Sequence, residues 1–310
     1  MDKIAIIGAG LIGRAWAMVF ARAGHPVALH DVDPKALATN LAAIDAGLAD
    51  LSSAGLLDEP PATVRRRISA AASVEEALRG AAYVQENVRE TLDAKREIFA
   101  VLDRLAAPDC ILASSTSTIP ASAFTEKLAG RARCLVVHPV NPPHLVPLVE
   151  LAPAPWTSAG TVERTRAIQT AIGQVPILVR KEIQGFVLNR LQAALLNEAL
   201  ALYADGYASA EDIDKCVRDG LGLRWSFMGP FETIDLNAPG GVTDYAARYG
   251  KVLHELVSTQ RPRDWAADVV RKLEAERRQI LAADDLGARE RWRDRRLMAL
   301  AAHKNQQERK

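Results

Sequence analysis

Short apolar runs alternate with longer amphipathic or alanine-rich stretches through the first half of the chain. That alternation is the pattern of β-α-β units, in which each strand is buried in a parallel sheet and a helix returns the chain across its face. The runs predict strands at residues 3–7, 27–30, 83–85, 111–113, 134–138, 148–151 and 176–179. Between the second and third of these, residues 34–57 predict a helix, followed by an arginine-bearing helix near residues 62–68. Strand signals stop after Val179. From Gly185 onward apolar positions recur at spacings of three and four, as along residues 193–204, which is the helical period. The predicted architecture is therefore α/β: a doubly wound, mostly parallel sheet over residues 1–182, then an all-α domain over residues 183–310. Residues 264–310, rich in Arg, Glu and Ala, predict two or more exposed, salt-bridged helices.

Composition narrows the function classes more than it changes this picture. The 310 residues suffice for two domains with a buried core in each, and 49% hydrophobic with 25% charged residues is a globular balance. A formal net charge of +1, with acids interleaved among the C-terminal arginines, argues against a nucleic-acid or anionic-membrane partner. No run of eighteen apolar residues occurs, and Met1-Asp2-Lys3 leads straight into the first predicted strand. The expectation is a cytoplasmic chain without a targeting segment. Cys110, Cys134 and Cys216 form no Cys-x-x-Cys pair and are expected to be free thiols; no metal site is assigned.

The first strand runs into Gly8-Ala9-Gly10-Leu11-Ile12-Gly13, and residues 14–23 continue as a helix. Strand, Gly-x-Gly-x-x-Gly and helix in that order form the Rossmann-type dinucleotide fingerprint. Gly8 permits the tight turn, Gly10 lets the backbone approach a pyrophosphate, and Gly13 allows close helix–strand packing. The helix start at Leu11 and Ile12 then presents free N–H groups to the phosphates. Asp31, at the end of the second strand, suits a ribose diol and repels a 2′-phosphate, so NAD is the expected cofactor rather than NADP.

Oxidation of an alcohol needs a base near neutral pH, and His138 sits where a predicted strand leaves the sheet. Glu150 lies inside the next apolar strand; a buried carboxylate needs a partner, and His138 is the nearest candidate. Ser114-Ser115-Thr116-Ser117 reads either as a polar loop or helix cap, or as a source of a hydroxyl for the reacting oxygen. His25, His30, His144, His254 and His303 are read as structural. Asn189, in an apolar helix, reads by itself as a satisfied core amide.

The order and spacing of these motifs, with Leu148-Val149-Glu150 and Gly185-Phe186-Val187-Leu188-Asn189-Arg190, resemble the 3-hydroxyacyl-CoA dehydrogenase superfamily. Within it the chain is most similar to the lambda-crystallin branch, whose activity is that of an L-gulonate 3-dehydrogenase. The closer likeness rests on residues 138–143, Lys181-Glu182, residues 222–225, residues 229–233 and Trp292-Arg293-Asp294. The resemblance implies His138 as base with Glu150 as its partner, Ser117 and Asn189 on the substrate oxygen, and Glu90 and Lys95 at NAD. It also implies a homodimer paired through the helical domain.

Two departures bear on the substrate. Acyl-CoA-specific relatives carry a serine and lysines after the second strand to hold the CoA phosphates. Here Gly47 and Ala54 stand at those positions, and Lys35 is the only basic residue between Asp33 and Pro61. Arg224 sits in a short insertion relative to the acyl-CoA enzymes; it reads equally as a clamp for a free carboxylate or as a surface arginine. Trp225 reads as core packing, or as a face for a quaternary ammonium. The expected function is NAD-dependent oxidation of the 3-hydroxyl of a small free hydroxy acid. The alternatives are a 3-hydroxyacyl-CoA or L-carnitine dehydrogenase and, in a different class, a crystallin-like structural protein.

Overall fold

The computed structural model describes residues 1–308. Eight strands build one sheet: β1 (Lys3–Ile7), β2 (Val27–His30), β3 (Ile68–Ala70), β4 (Ala81–Glu86), β5 (Ile111–Ser114), β6 (Cys134–Pro139), β7 (Leu148–Pro153) and β8 (Val175–Leu178). Their order is β3-β2-β1-β4-β5-β6-β7-β8. All neighbours pair in parallel except β6 and β7, which are antiparallel. The order runs outward in both directions from β1, so a crevice forms beyond the carboxyl ends of β1 and β4, where such sheets bind ligands.

Six of the eight strands are near-continuous apolar runs because both faces of the sheet are covered. One face packs on Trp16, Phe20, Ile44 and Leu48, the other on Phe99, Phe124 and Phe186. The Leu11–Arg22 helix buries Trp16 and Phe20 completely, and the ring of Phe20 lies 5.5 Å from that of Tyr83 on β4. Helix starts follow the sequence: Asp33, Ser73, Thr91 and Ser158 each accept a backbone N–H of the turn they cap. Cys110 and Cys134 are buried thiols pushed up to about 12 by desolvation, and Cys216 is exposed.

The structure corrects one element. The second arginine-bearing helix is short, Pro61–Arg65, and Ile68 belongs to β3, a strand absent from the predicted set. Only Ile68 of β3 is buried, so the strand carries almost no apolar signal.

By packing, the chain divides into a first unit, residues 1–189 together with 290–310, and a second, residues 190–289. The second unit is helical throughout, with long helices at Leu188–Ala204, Gly241–Thr259 and Ala267–Ile280 and short ones between. The final helix, Leu286–Glu308, returns the chain to the first unit, where Met298 is buried in the sheet's core. No described helix is long and apolar enough to cross a membrane.

Candidate active site

The glycine turn has different constraints at its three glycines. Gly8 has φ +93°, and a Cβ there would stand 2.6 Å from the Asn87 carbonyl oxygen. A Cβ on Gly13 would stand 1.8 Å from the Gly8 oxygen, which holds the helix against the strand. Nothing approaches within 4 Å of a Cβ built on Gly10, the residue that opens the helix. The turn thus keeps open the one position a pyrophosphate must approach, beside first-turn amides that have no side-chain cap. Asp31 is half-buried, and its Oδ2 accepts the Ala9 amide at 2.7 Å, tying the end of β2 to the turn.

Next along the sheet edge, a network of acids sets two loops. Lys95 is 1% exposed; its ammonium donates to Glu86 Oε1 at 2.8 Å and to the Val88 carbonyl at 3.0 Å. Glu86 also accepts from Ser114 Oγ. Glu90 Oε1 gathers Thr116 Oγ1 at 2.6 Å and the amides of Ser117 and Thr118 at 2.8 and 3.2 Å, with Lys95 3.5 Å from its other oxygen. Within residues 114–117 the hydroxyls therefore have separate duties. Ser114 binds Glu86, Ser115 joins Trp16, Gln85 and Asn87, and Thr116 binds Glu90. Among the described residues, the Ser117 hydroxyl alone of these four makes no hydrogen bond within the chain. The Ser117 carbonyl accepts from Asn189 Nδ2 at 2.8 Å, fixing that amide in the first turn of Leu188–Ala204.

Antiparallel pairing of β6 with β7 sets His138 opposite Glu150. His138 Nδ1 lies 2.7 Å from Glu150 Oε2, both side chains being buried. Glu150 Oε1 accepts the amides of Val187 and Leu188 at 2.9 and 3.0 Å. Those amides are delivered by a left-handed corner, Gly185 at φ +76° and Phe186 at φ +50°. Phenylalanine rarely adopts such a φ, and packing holds it there: Phe186 is fully buried, its ring 5.4 Å from the imidazole. Burial pushes the Glu150 carboxyl upward. The bond from His138, the amides of Leu188 and Val187 and the imidazole's charge outweigh it, and the net pKa is below the usual carboxylate range. An ionised Glu150 makes Nδ1 the donor, which leaves Nε2 as the basic nitrogen.

The structure brings Ser117, His138, Glu150 and Asn189 into the first unit, with Glu90 and Lys95 behind the Ser117 loop. Arg224 and Trp225 lie in the second unit, on the short helix Gly222–Trp225; both are exposed, so core packing does not account for Trp225. Sequence reasoning missed Glu86, Thr116 and the corner at Gly185–Phe186. Glu86 had a signal, an acid closing an apolar run nine residues before Lys95. The amides of Val187 and Leu188 had none, because a backbone donor has no residue identity.

A glycine cradle at the switch point of a parallel sheet, with a carboxylate-held imidazole on a strand of the same sheet, defines a nucleotide-dependent dehydrogenase. Comparison with known proteins identifies which. The chain matches the NAD binding domain of 3-hydroxyacyl-CoA dehydrogenase over residues 3–183 and the C-terminal domain over residues 185–280, and it belongs to that family. It is 41% identical to the lambda-crystallin homolog of Rattus norvegicus over 308 residues, 98% of this chain and 96% of that one. It is 37% identical to L-carnitine dehydrogenase of Pseudomonas putida over 254 residues, 82% of this chain and 78% of that one. Among solved structures it resembles 5-formyl-3-hydroxy-2-methylpyridine 4-carboxylic acid 5-dehydrogenase, an NAD+-dependent dismutase. The TM-score is 0.85 and the identity 29%, over 97% of each chain. The chain is accordingly an NAD-dependent oxidoreductase acting on CH–OH groups.

Proposed function

We propose that the chain oxidises the 3-hydroxyl of a small free hydroxy acid, of the L-gulonate type, to the 3-keto acid, with His138 as general base. The observation that carries this reading is the contact of His138 Nδ1 with Glu150, itself fixed by two backbone amides. It leaves His138 Nε2 to take the hydroxyl proton, and Glu150 stabilises the imidazolium that results. Bound NAD supplies the hydride acceptor. Ser117 Oγ and Asn189 hold the reacting oxygen. Gly8, Gly10, Leu11, Ile12 and Gly13 cradle the pyrophosphate and Asp31 the ribose, while Glu90 and Lys95 brace the loops that line the nicotinamide.

A free acid is favoured over a CoA thioester because the Pro34–Ser53 helix offers one lysine, Lys35, to the CoA phosphates. Asp50 on that helix and Asp58 just beyond it are exposed and repel them. The L-carnitine reading is retained on one observation, the exposed Trp225 ring, which suits a quaternary ammonium. The test is NADH formation from L-gulonate, L-3-hydroxybutyrate, L-carnitine and 3-hydroxybutyryl-CoA, with His138→Gln alongside. A free hydroxy acid is expected to be preferred. His138→Gln is expected to lose about 10²–10⁴-fold in kcat with NAD affinity within about twofold. Preference for the thioester overturns the substrate assignment, and unaltered turnover in His138→Gln overturns the base.

A further inference from the structure

The first unit contains a cavity of about 870 Å³, none of whose lining residues belongs to the glycine cradle or to the His138 group. Its walls are the end of the Leu11–Arg22 helix, residues 56–59, the loop 143–147, the end of the Ala159–Ala171 helix and the inner side of the last helix. Much of the lining is aliphatic, with Leu57, Val64, Leu145, Ile172, Leu297 and Leu300 among it.

Two polar groups of this lining are incompletely partnered within the chain. Arg22 donates Nη1 to the His144 carbonyl at 2.9 Å, and among the described residues no carboxylate lies within ion-pair distance of its guanidinium. Burial lowers the Arg22 pKa. His144 Nδ1 is buried with no hydrogen-bond partner among the described residues. The other charges on the walls are placed differently. Arg67 is held on both terminal nitrogens by Glu59, and Lys304 and Asp58 are exposed. A half-buried guanidinium without a counter-ion carries part of a desolvation cost, which a bound anion offsets.

We propose that this cavity is a second ligand site, which takes an amphipathic monocarboxylate. The carboxylate accepts the unused donors of Arg22, a fork suited to two parallel bonds. The aliphatic body lies along Leu57, Leu145 and Leu300. A single half-buried, unpaired cation and apolar walls select one negative charge with a hydrocarbon tail, against a phosphate ester or a dicarboxylate. The volume is that of an ordinary small-molecule site.

Calorimetric titration of the full chain, with NADH bound, tests this with octanoate as the probe and octan-1-ol as its uncharged control. Octanoate is expected to bind saturably at one site per chain, and octan-1-ol at least about tenfold more weakly. Arg22→Met, which keeps the aliphatic stem, is expected to weaken octanoate at least about tenfold. Ala301→Trp, which fills the cavity from the last helix, is expected to abolish binding while turnover stays within about twofold of wild type. Should Arg22→Met fail to fold, Ala301→Trp and the alcohol control decide the matter. The proposal is overturned by the absence of saturable binding, by equal affinity for the alcohol, or by octanoate binding that survives Ala301→Trp.

Discussion

At the scale of single residues, the fingerprint glycines separate folding from binding. Gly13 touches backbone: any Cβ there overlaps the Gly8 oxygen, so Gly13→Ala must push the Leu11–Arg22 helix off β1. Gly10 touches nothing, so Gly10→Ala adds a methyl only to open space, the space proposed for the pyrophosphate. Gly13→Ala is therefore expected to lower stability by about 2–3 kcal/mol. Gly10→Ala is expected to cost about 0.5 kcal/mol or less in stability, yet at least about tenfold in NAD affinity. Thermal unfolding and NAD fluorescence titration of both variants check this, and equal destabilisation by the two would sink the distinction. The packing reasons at Gly8 and Gly13 were legible in the sequence because the fingerprint sits between an unmistakable strand and helix. His144 was not legible: its lack of a partner follows from residues far away in the chain, Arg22 above all.

At the scale of elements, the site depends on a junction that pattern reading reached only in part. The strands carrying His138 and Glu150 announce themselves as apolar runs, and antiparallel register then aligns the pair. β3 escaped because three residues with one buried side chain cannot be told from the end of a helix. β4 runs one residue further than its apolar run because buried Lys95 and Ser114 satisfy the charge of Glu86. The corner at Gly185–Phe186 is the third part of the junction, and it makes Glu150 a stabilising element as well as the proposed partner of His138. Because the folded pKa of Glu150 lies below its unfolded value, its contribution is present in full above about pH 4.3 and is lost as pH falls through the folded pKa. Glu150→Gln is expected to destabilise the fold by about 3 kcal/mol near neutral pH. The gap from wild type should close on acidification below about pH 4, read by urea unfolding across pH. A gap independent of pH would show that shape, and not charge, binds the corner to β7.

At the scale of the whole molecule, the helical unit leaves unusual apolar surface in water. Along Gly241–Thr259, Tyr249, Val252, Leu253, Leu256 and Val257 are each 43–61% exposed, at spacings that form one stripe of the helix. Leu191, Leu195 and Leu196 do the same on Leu188–Ala204. Contiguous apolar stripes of this kind rarely stay bare on a monomer. The sequence reading expected the helical domain to pair two subunits, and these stripes give that proposal a surface. They were invisible as a surface in the sequence, where the same spacing of three and four describes a face turned inward to a core. A stable twofold interface buries roughly 1,200–2,000 Å², which two such stripes from each subunit can supply. Introducing paired charges with Val252→Glu and Leu256→Glu, one turn apart and far along the chain from the site residues, is expected to convert a dimer to a monomer. Light scattering coupled to size exclusion reads this directly, and circular dichroism should show helix content retained. A wild-type chain that runs as a monomer removes the homodimer. A dimer that survives both glutamates moves the interface to another face and leaves the stripe to be covered by something other than a second copy.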